Sequence, residues 1–193
     1  MTSEVQASVH HRPGFWLMAM TLPLLMAASV APSPLYVVYQ HRWGFTASTL
    51  TMVYAVYMGP LVVALLTVGG LSDQIGRRPV VVASLLVQAL SMVVFMTASG
   101  VPALFVGRLL QGLAAGTGLG AVTSGVLDLA GGDGRRLGAL LNSVGPAIGI
   151  GLGAAISGLM VQFLPAPRVA VYVLLAVLFV VLAVAVAVRI EPA

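Results

Sequence analysis

Long apolar runs separated by short polar breaks are the main pattern of this chain. A helix needs about 20 apolar residues to cross a bilayer, and six runs have that length. The runs do not alternate polar and apolar residues as the strands of a membrane barrel do. Because the breaks carry Gly, Pro or charge, we predict one transmembrane helix for each run. The six predicted helices cover residues 15–39, 47–71, 79–98, 102–129, 137–164 and 169–188.

Little sequence remains outside these runs, so we predict a single domain. We expect a cytoplasmic tail over residues 1–14, a six-helix bundle over 15–189 and a cytoplasmic C-terminal end over 190–193. The first run is too long for the apolar region of a cleavable signal peptide, and it contains three prolines. We therefore expect a retained membrane helix, and the predicted fold class is all-α integral membrane.

Composition supports the membrane class. Of the 193 residues, 60% are hydrophobic and only 7% are charged, which is too few to give a soluble domain its polar surface. Cysteine is absent, which excludes a disulfide framework and thiol chemistry. The sequence has no phosphate-binding loop, no His/Glu zinc helix and no plausible Ser/His/Asp set. We therefore expect no enzymatic activity, no metal and no cofactor.

The arginines indicate how the chain crosses the membrane. All nine basic residues are Arg, a usage that suggests a GC-rich bacterial genome and hence the inner (plasma) membrane. Single arginines and pairs between apolar runs are typical of loops that set membrane orientation, so we expect no nucleic-acid partner. With both termini in the cytoplasm, the positive-inside rule is obeyed. The inner arginines are Arg12, Arg77, Arg78, Arg135, Arg136 and Arg189, and the outer ones are Arg42 and Arg168.

The remaining arginine, Arg108, falls inside the fourth predicted helix. A charged side chain within a bilayer is costly and is a functional candidate by default. Because Arg108 stands near Gln111 and small residues, we expect it to face a central cavity. There it would bind an anionic group or shift the pKa of a neighbour. A snorkelling or structurally paired arginine is the alternative.

Glycines recur at four-residue spacing in two predicted helices. Such a row lines one helix face and lets another backbone approach closely. Ordinary tight packing and a mobile, functional seam both fit this pattern. The rows are Gly112, Gly116 and Gly120 in the fourth helix, and Gly145, Gly149 and Gly153 in the fifth.

The first predicted helix is rich in proline. Each proline removes a helix hydrogen bond and exposes a carbonyl that a cavity-facing helix can use. Tyrosines near the outer ends of helices one and two could contact a substrate, but packing or interface roles are the stronger expectation. The prolines are Pro23, Pro32 and Pro34, and the tyrosines are Tyr36, Tyr39, Tyr54 and Tyr57.

The link between the second and third predicted helices concentrates charge. Gly69, Gly70 and Gly76 permit a tight backbone turn there, and Pro79 can open the third helix at its first turn. Asp128 ends the fourth helix on the same predicted side of the membrane. We therefore expect a cluster in which acids share an arginine, formed by Asp73, Arg77 and Asp128.

Three local motifs resemble the major facilitator superfamily. The first is Gly69-x-Leu71-Ser72-Asp73-x-x-Gly76-Arg77-Arg78 between helices two and three, in which Gln74 departs from the usual Arg or Lys. The second, Arg108-Leu-Leu-Gln111-Gly112, is similar to the helix-four motif whose arginine is implicated in proton coupling. The third, Gly145-Pro146-x-x-Gly149 in helix five, resembles the motif typical of drug/proton antiporters.

The resemblance covers the whole chain and implies the N-terminal bundle of a transporter, built of two three-helix repeats. Such transporters normally have twelve helices in two bundles, with the substrate between them. We therefore expect a small-molecule substrate, protons, the lipid bilayer and a second six-helix bundle as partners. The second bundle would come from a homodimer or a separate C-terminal half. The alternative is a non-transporting truncated protein, or a partner subunit that binds another bundle through its glycine rows.

The resemblance also implies roles for individual residues. Proton coupling would use the acids at the cytoplasmic face or a site in the second bundle, because the first helix carries no acid. Arg108 and Gln111 are implied for proton coupling or the substrate cavity. The helix-packing seam comprises the two glycine rows and Pro146. The residues implied in gating are Gly69, Asp73, Gly76, Arg77, Arg78 and Asp128.

Overall fold

The structure is a computed structural model that describes residues 13–189, without the side chains of residues 69–74 and 132–133. Every regular element in this part of the chain is an α-helix. Six helical segments are long and apolar enough to cross a membrane, which confirms the predicted fold class. We call them spans 1 to 6: Pro13–Trp43, Ala47–Val68, Arg77–Thr97, Val101–Gly131, Gly134–Phe163 and Pro167–Arg189.

The domain boundaries predicted at the two ends lie mostly outside the described residues. Residues 13 and 14, which were expected in the N-terminal tail, instead open span 1. Proline is well suited to this place, because its missing N–H would have no partner in the first turn of a helix.

Spans 1 and 2 are each interrupted near the middle. Span 1 breaks at Ala31, immediately before Pro32, which cannot donate a hydrogen bond to the carbonyl four residues earlier. Span 2 breaks at Tyr57, three residues before Pro60. The resulting helices are Pro13–Val30 and Pro32–Trp43 in span 1, and Ala47–Val56 and Met58–Ile75 in span 2.

The links around spans 3 and 4 are shorter than the sequence suggested. The second helix continues to Ile75, so Gly69 and Gly70 are helical and only Gly76 forms the turn. The φ of Gly76 is +87°, a value that favours glycine. Spans 4 and 5 belong to one run of helix, Val101–Phe163, interrupted at Gly131 with φ +66°. A single glycine with positive φ therefore reverses the chain at each of these two links.

The core lies between spans 1, 3, 4 and 6. Large side chains that are fully buried there include Phe15, Leu25, Met92, Phe95 and Phe179. Spans 2 and 5 contribute much less. Only 11% of the residues in the most apolar window of span 2 and 22% in that of span 5 are buried, against 50% in spans 3 and 4. Spans 2 and 5 therefore present most of their apolar surface outward.

Two arginines that were assigned to the membrane-orienting set, of which Arg78 was also implied in gating, hydrogen-bond spans 3 and 6 to each other. Arg168, at the start of span 6, donates from Nη1 to the carbonyl of Ala98 at the end of span 3, at 3.0 Å. Arg78, at the start of span 3, donates to the carbonyl of Ala187 in the last turn of span 6. A cation near a helix C-terminus interacts favourably with the helix dipole. Each span thus supplies a cap for the other.

Candidate functional site

Arg108 lies inside the bundle and not at a membrane edge. Its side chain is only 2% exposed, although it is among the largest buried side chains of the protein. This burial excludes snorkelling to the membrane surface. The position follows from span 4, which packs against spans 2 and 3 and carries Arg108 on its inner face.

Three hydrogen bonds hold the Arg108 guanidinium. Its Nε donates to the hydroxyl of Tyr36 at 2.6 Å. Its Nη1 donates to the carbonyl of Ser29 at 2.9 Å and to Oε1 of Gln111 at 2.5 Å. The remaining nitrogen, Nη2, is buried and has no hydrogen-bond partner among the described residues. The group is therefore fixed in place while two of its five N–H donors stay unused.

The side chain of Gln111 forms a hydrogen bond to span 1 at the point where its helix is interrupted. Its Nε2 donates to the carbonyl of Ala28 at 2.8 Å. In a continuous helix this carbonyl would accept from the amide of residue 32, but residue 32 is proline. The side chain of Gln111 thus replaces the hydrogen bond that Pro32 removes. The sequence pointed to freed carbonyls, but not to the residue that would satisfy them.

Span 5 holds the same break from another side. Ser157 donates from Oγ to the carbonyl of Ala31 at 2.6 Å, and both residues are buried. Sequence reasoning missed Ser157, because a single serine in an apolar helix gives no distinctive signal. The carbonyls at the break in span 1 therefore bind side chains from spans 4 and 5.

Aromatic rings surround the Arg108 guanidinium. Its central carbon lies 5.2 Å from the ring centroids of both Tyr36 and Tyr54, 5.8 Å from that of Tyr57 and 5.9 Å from that of Phe95. Such distances permit cation–π attraction, which is stronger when the cation is desolvated. Among the tyrosines noted in the sequence, three therefore contact the arginine.

Tyr39 takes a packing role. It is buried, stacks on Trp43 with ring centroids 4.6 Å apart, and donates to the carbonyl of Phe95 at 3.1 Å. Tyr39 therefore packs the C-terminal part of span 1 against span 3.

The charge of Arg108 and its unused N–H donors determine which groups this site can interact with. An arginine side chain has five N–H donors and no acceptor. In a low-dielectric interior its charge acts strongly on nearby groups. The two unused N–H donors of Nη2 can bind an anionic or carbonyl oxygen. The binding of an anionic group by Arg108 stays a prediction, and the groups that contact its guanidinium are hydroxyl, carbonyl, amide and aromatic groups.

The structure describes the side chains of some, but not all, of the residues that were implied in gating. Nη2 of Arg77 lies 2.9 Å from Oδ2 of Asp128, and the two side chains are 27% and 60% exposed. Gly76 forms the turn before span 3. Arg78 is directed to span 6 and not to this ion pair. Gly69 and the side chain of Asp73 lie outside the part of the chain whose side chains are described.

The glycine row in span 4 contacts span 2. A Cβ atom at Gly112 would lie 2.2 Å from the carbonyl oxygen of Tyr57, and one at Gly116 would lie 2.4 Å from that of Leu61. Only glycine permits this backbone approach. Gly120 does not join the contact, because a Cβ there would meet nothing within 4 Å.

The glycine row in span 5 contacts span 1. A Cβ at Gly149 would lie 2.1 Å from the carbonyl oxygen of Pro23, and one at Gly153 would lie 2.4 Å from that of Ala27. Gly145 packs more loosely on the Pro23 ring, and Pro146 lies within the same helix. Five of the six glycines in the two rows thus pack against another span of the same bundle, and Gly120 does not.

No group of three or more His, Cys, Asp or Glu side chains that could hold a metal ion occurs among the described residues.

Six membrane-length helices packed into one bundle define a multi-pass membrane protein. The family model described as the Major Facilitator Superfamily matches residues 14–193. The match extends over nearly the whole chain, so this protein belongs to that superfamily, whose members are transporters. The bundle agrees with the N-terminal half of such a transporter. A search of curated proteins finds no match to the chain.

Proposed function

We propose that this chain is one six-helix bundle of a proton-coupled efflux transporter that moves a small molecule by alternating access. The observation that carries the proposal is the Arg108 site. A cation without an ion-pair partner among the described residues is costly in a membrane interior and calls for a functional reason. Binding of a substrate oxygen, or stabilisation of a deprotonated acid, would provide that reason.

The described gate contact suits a reversible movement. Arg77 and Asp128 are both partly exposed, and such an ion pair contributes about 1 kcal/mol or less. It would hold the cytoplasmic ends of spans 3 and 4 together in one state and break in another. The proposed location is the bacterial inner membrane, with both termini in the cytoplasm as the arginine distribution favours.

A second six-helix bundle would complete the transport pathway. Spans 2 and 5 support this part of the proposal, because most of their apolar residues face outward. The second bundle would be another copy of this chain or a separate C-terminal half, and the substrate would lie between the two bundles. We propose no enzymatic activity for the assembly.

Everted membrane vesicles that contain the chain provide the test. A pH-sensitive dye reports the proton gradient, and the added probes are the zwitterionic fluoroquinolones norfloxacin and ciprofloxacin, each of which carries a carboxylate and a carbonyl oxygen that Arg108 could bind. We expect these probes to dissipate part of the gradient in vesicles with the wild-type chain. Arg108→Gln should reduce this response at least tenfold. Arg135→Gln, an exposed arginine on the same predicted side as the gate, serves as the matched control and should respond like the wild type.

Crosslinking in the same vesicles determines the assembly. A dimer, or a complex with a second polypeptide, is expected if a second bundle completes the pathway. A monomeric chain that leaves the gradient unchanged with every probe would contradict the proposal and favour a non-transporting protein.

A further inference from the structure

An apolar groove runs along the outside of the bundle between spans 1, 5 and 6. Its cavity volume is about 420 Å³. Pro23 and Ala27 of span 1 form its floor, Ile156 of span 5 one wall and Leu178 of span 6 the other. Ser157 also lines the groove, but its hydroxyl is bonded to the carbonyl of Ala31. The lining therefore offers almost no polar group to an occupant.

The groove continues to the end of the bundle where span 1 begins and span 6 ends. A second cavity shares part of its lining with the groove, including Leu17 and Ala185. From there it extends to Pro13, Trp16 and Arg189. The path thus leads from an apolar interior to an exposed arginine beside a tryptophan.

The dimensions of the groove match one lipid chain. The part of span 1 that lines the groove extends from Leu17 to Ala31, which corresponds to about 21 Å of helix. One leaflet accounts for half of a hydrocarbon core that is about 30 Å thick. The groove is therefore long enough to hold a chain that extends from the membrane surface to the bilayer midplane, about 15 Å away, and it continues about 6 Å further.

We propose that this groove binds one anionic phospholipid of the bilayer. One acyl chain lies between spans 5 and 6, and the phosphate binds Arg189. Arginine matches phosphate geometry well, and tryptophan is enriched at the level of lipid headgroups. Basic sites between membrane helices at the cytoplasmic face bind anionic headgroups, and the arginine distribution predicts that Arg189 lies on this face. The proposal does not depend on transport activity.

The chemistry of the lining selects this occupant. A polar small molecule would lose its hydration without gaining hydrogen bonds. An ordinary lipid-facing helix surface has no comparable concavity, whereas here a chain contacts three helices at once. Arg189, the cation that lines the mouth among the described residues, adds a preference for a negatively charged headgroup.

Fluorescence quenching tests the proposal directly. The chain has two tryptophans, so Trp43→Phe leaves Trp16 as the reporter at the mouth. The purified full-length chain in detergent is titrated with phosphatidylglycerol whose chains are brominated near the headgroup. We expect saturable quenching with a stoichiometry near one. Brominated phosphatidylcholine, which has no net charge, should bind about fivefold more weakly.

Two pairs of variants in this background locate the site. Ala185→Phe fills the junction of the two cavities and should weaken binding of both lipids at least tenfold, whereas Val180→Phe, which does not line the groove, should not. Arg189→Gln should remove the preference for phosphatidylglycerol, whereas Arg135→Gln should preserve it. Circular dichroism confirms that each variant is folded.

Several results would overturn the inference. Quenching that rises linearly without saturation would indicate only general contact with lipid. Equal effects of Ala185→Phe and Val180→Phe would place the lipid elsewhere. If a second copy of the chain covers the groove, brominated lipid will not quench the fluorescence of Trp16 at protein concentrations at which native mass spectrometry detects a dimer. The groove is unaltered in Trp43→Phe. The lipid titration of this variant therefore tests the proposal even if Ala185→Phe does not fold.

Discussion

Pro32 and Gln111 provide a sharp test of how the bundle is held together. Gln111→Met keeps the length of the side chain but removes its hydrogen-bonding groups. The Ala28 carbonyl then loses its donor, and Arg108 loses one acceptor. In Pro32→Ala, the amide of residue 32 can supply the missing intrahelical bond to Ala28. The substitution of Gln111 should therefore cost less stability when Pro32 has been replaced.

The expected magnitude follows from the two hydrogen bonds. An interhelical bond in a membrane protein contributes about 0.6 kcal/mol on average and up to about 1.7 kcal/mol. A bond to a charged group contributes about 1.5–3 kcal/mol. We expect Gln111→Met to lower the free energy of unfolding by about 3 kcal/mol in the wild-type background. The cost should fall by about 1 kcal/mol in Pro32→Ala, because only the bond to Ala28 is replaced.

The assay is unfolding by sodium dodecyl sulfate in mixed micelles, followed by circular dichroism for the four proteins of a double-mutant cycle. Ser84→Ala is the control. Ser84 donates to the carbonyl of Ala114 at 2.8 Å and shares no hydrogen-bond partner with Pro32. Its cost should therefore be the same in both backgrounds. If Gln111→Met also costs the same in both, within about 0.5 kcal/mol, Gln111 does not replace the bond that Pro32 removes.

Two further predictions use the same measurement. Gly149→Ala should destabilise the bundle by about 1–3 kcal/mol, because the new methyl group would overlap the carbonyl of Pro23. Gly151→Ala, which meets open space on the same helix, should be neutral or stabilising, and equal losses would refute the close contact. Asp128→Asn should cost about 1 kcal/mol or less, since its bond to Arg77 is partly exposed. A loss above about 2 kcal/mol would show that this ion pair is structural and unsuited to a gate.

The sequence located the membrane helices well, because their signal is local. A run of about 20 apolar residues has few alternatives in a bilayer. The observed helix ends differ from the predicted ones where more than one glycine could have formed the turn. Gly69 and Gly70 stay helical, while Gly76 turns the chain. A glycine permits a turn but does not require one, so the sequence could not distinguish these three positions.

By itself, the sequence determined the class of the protein, the number of spans, the family and the identity of an arginine that has to lie within the membrane. Only the tertiary structure decided what that arginine and its neighbours contact. It directed Gln111 to the carbonyl freed by Pro32 and placed Gly149 against Pro23, while leaving Gly120 without a partner. Hydropathy depends on each residue alone, and therefore it is visible in the chain. Partners depend on how helices distant in sequence cross, and therefore they appear only in the folded bundle.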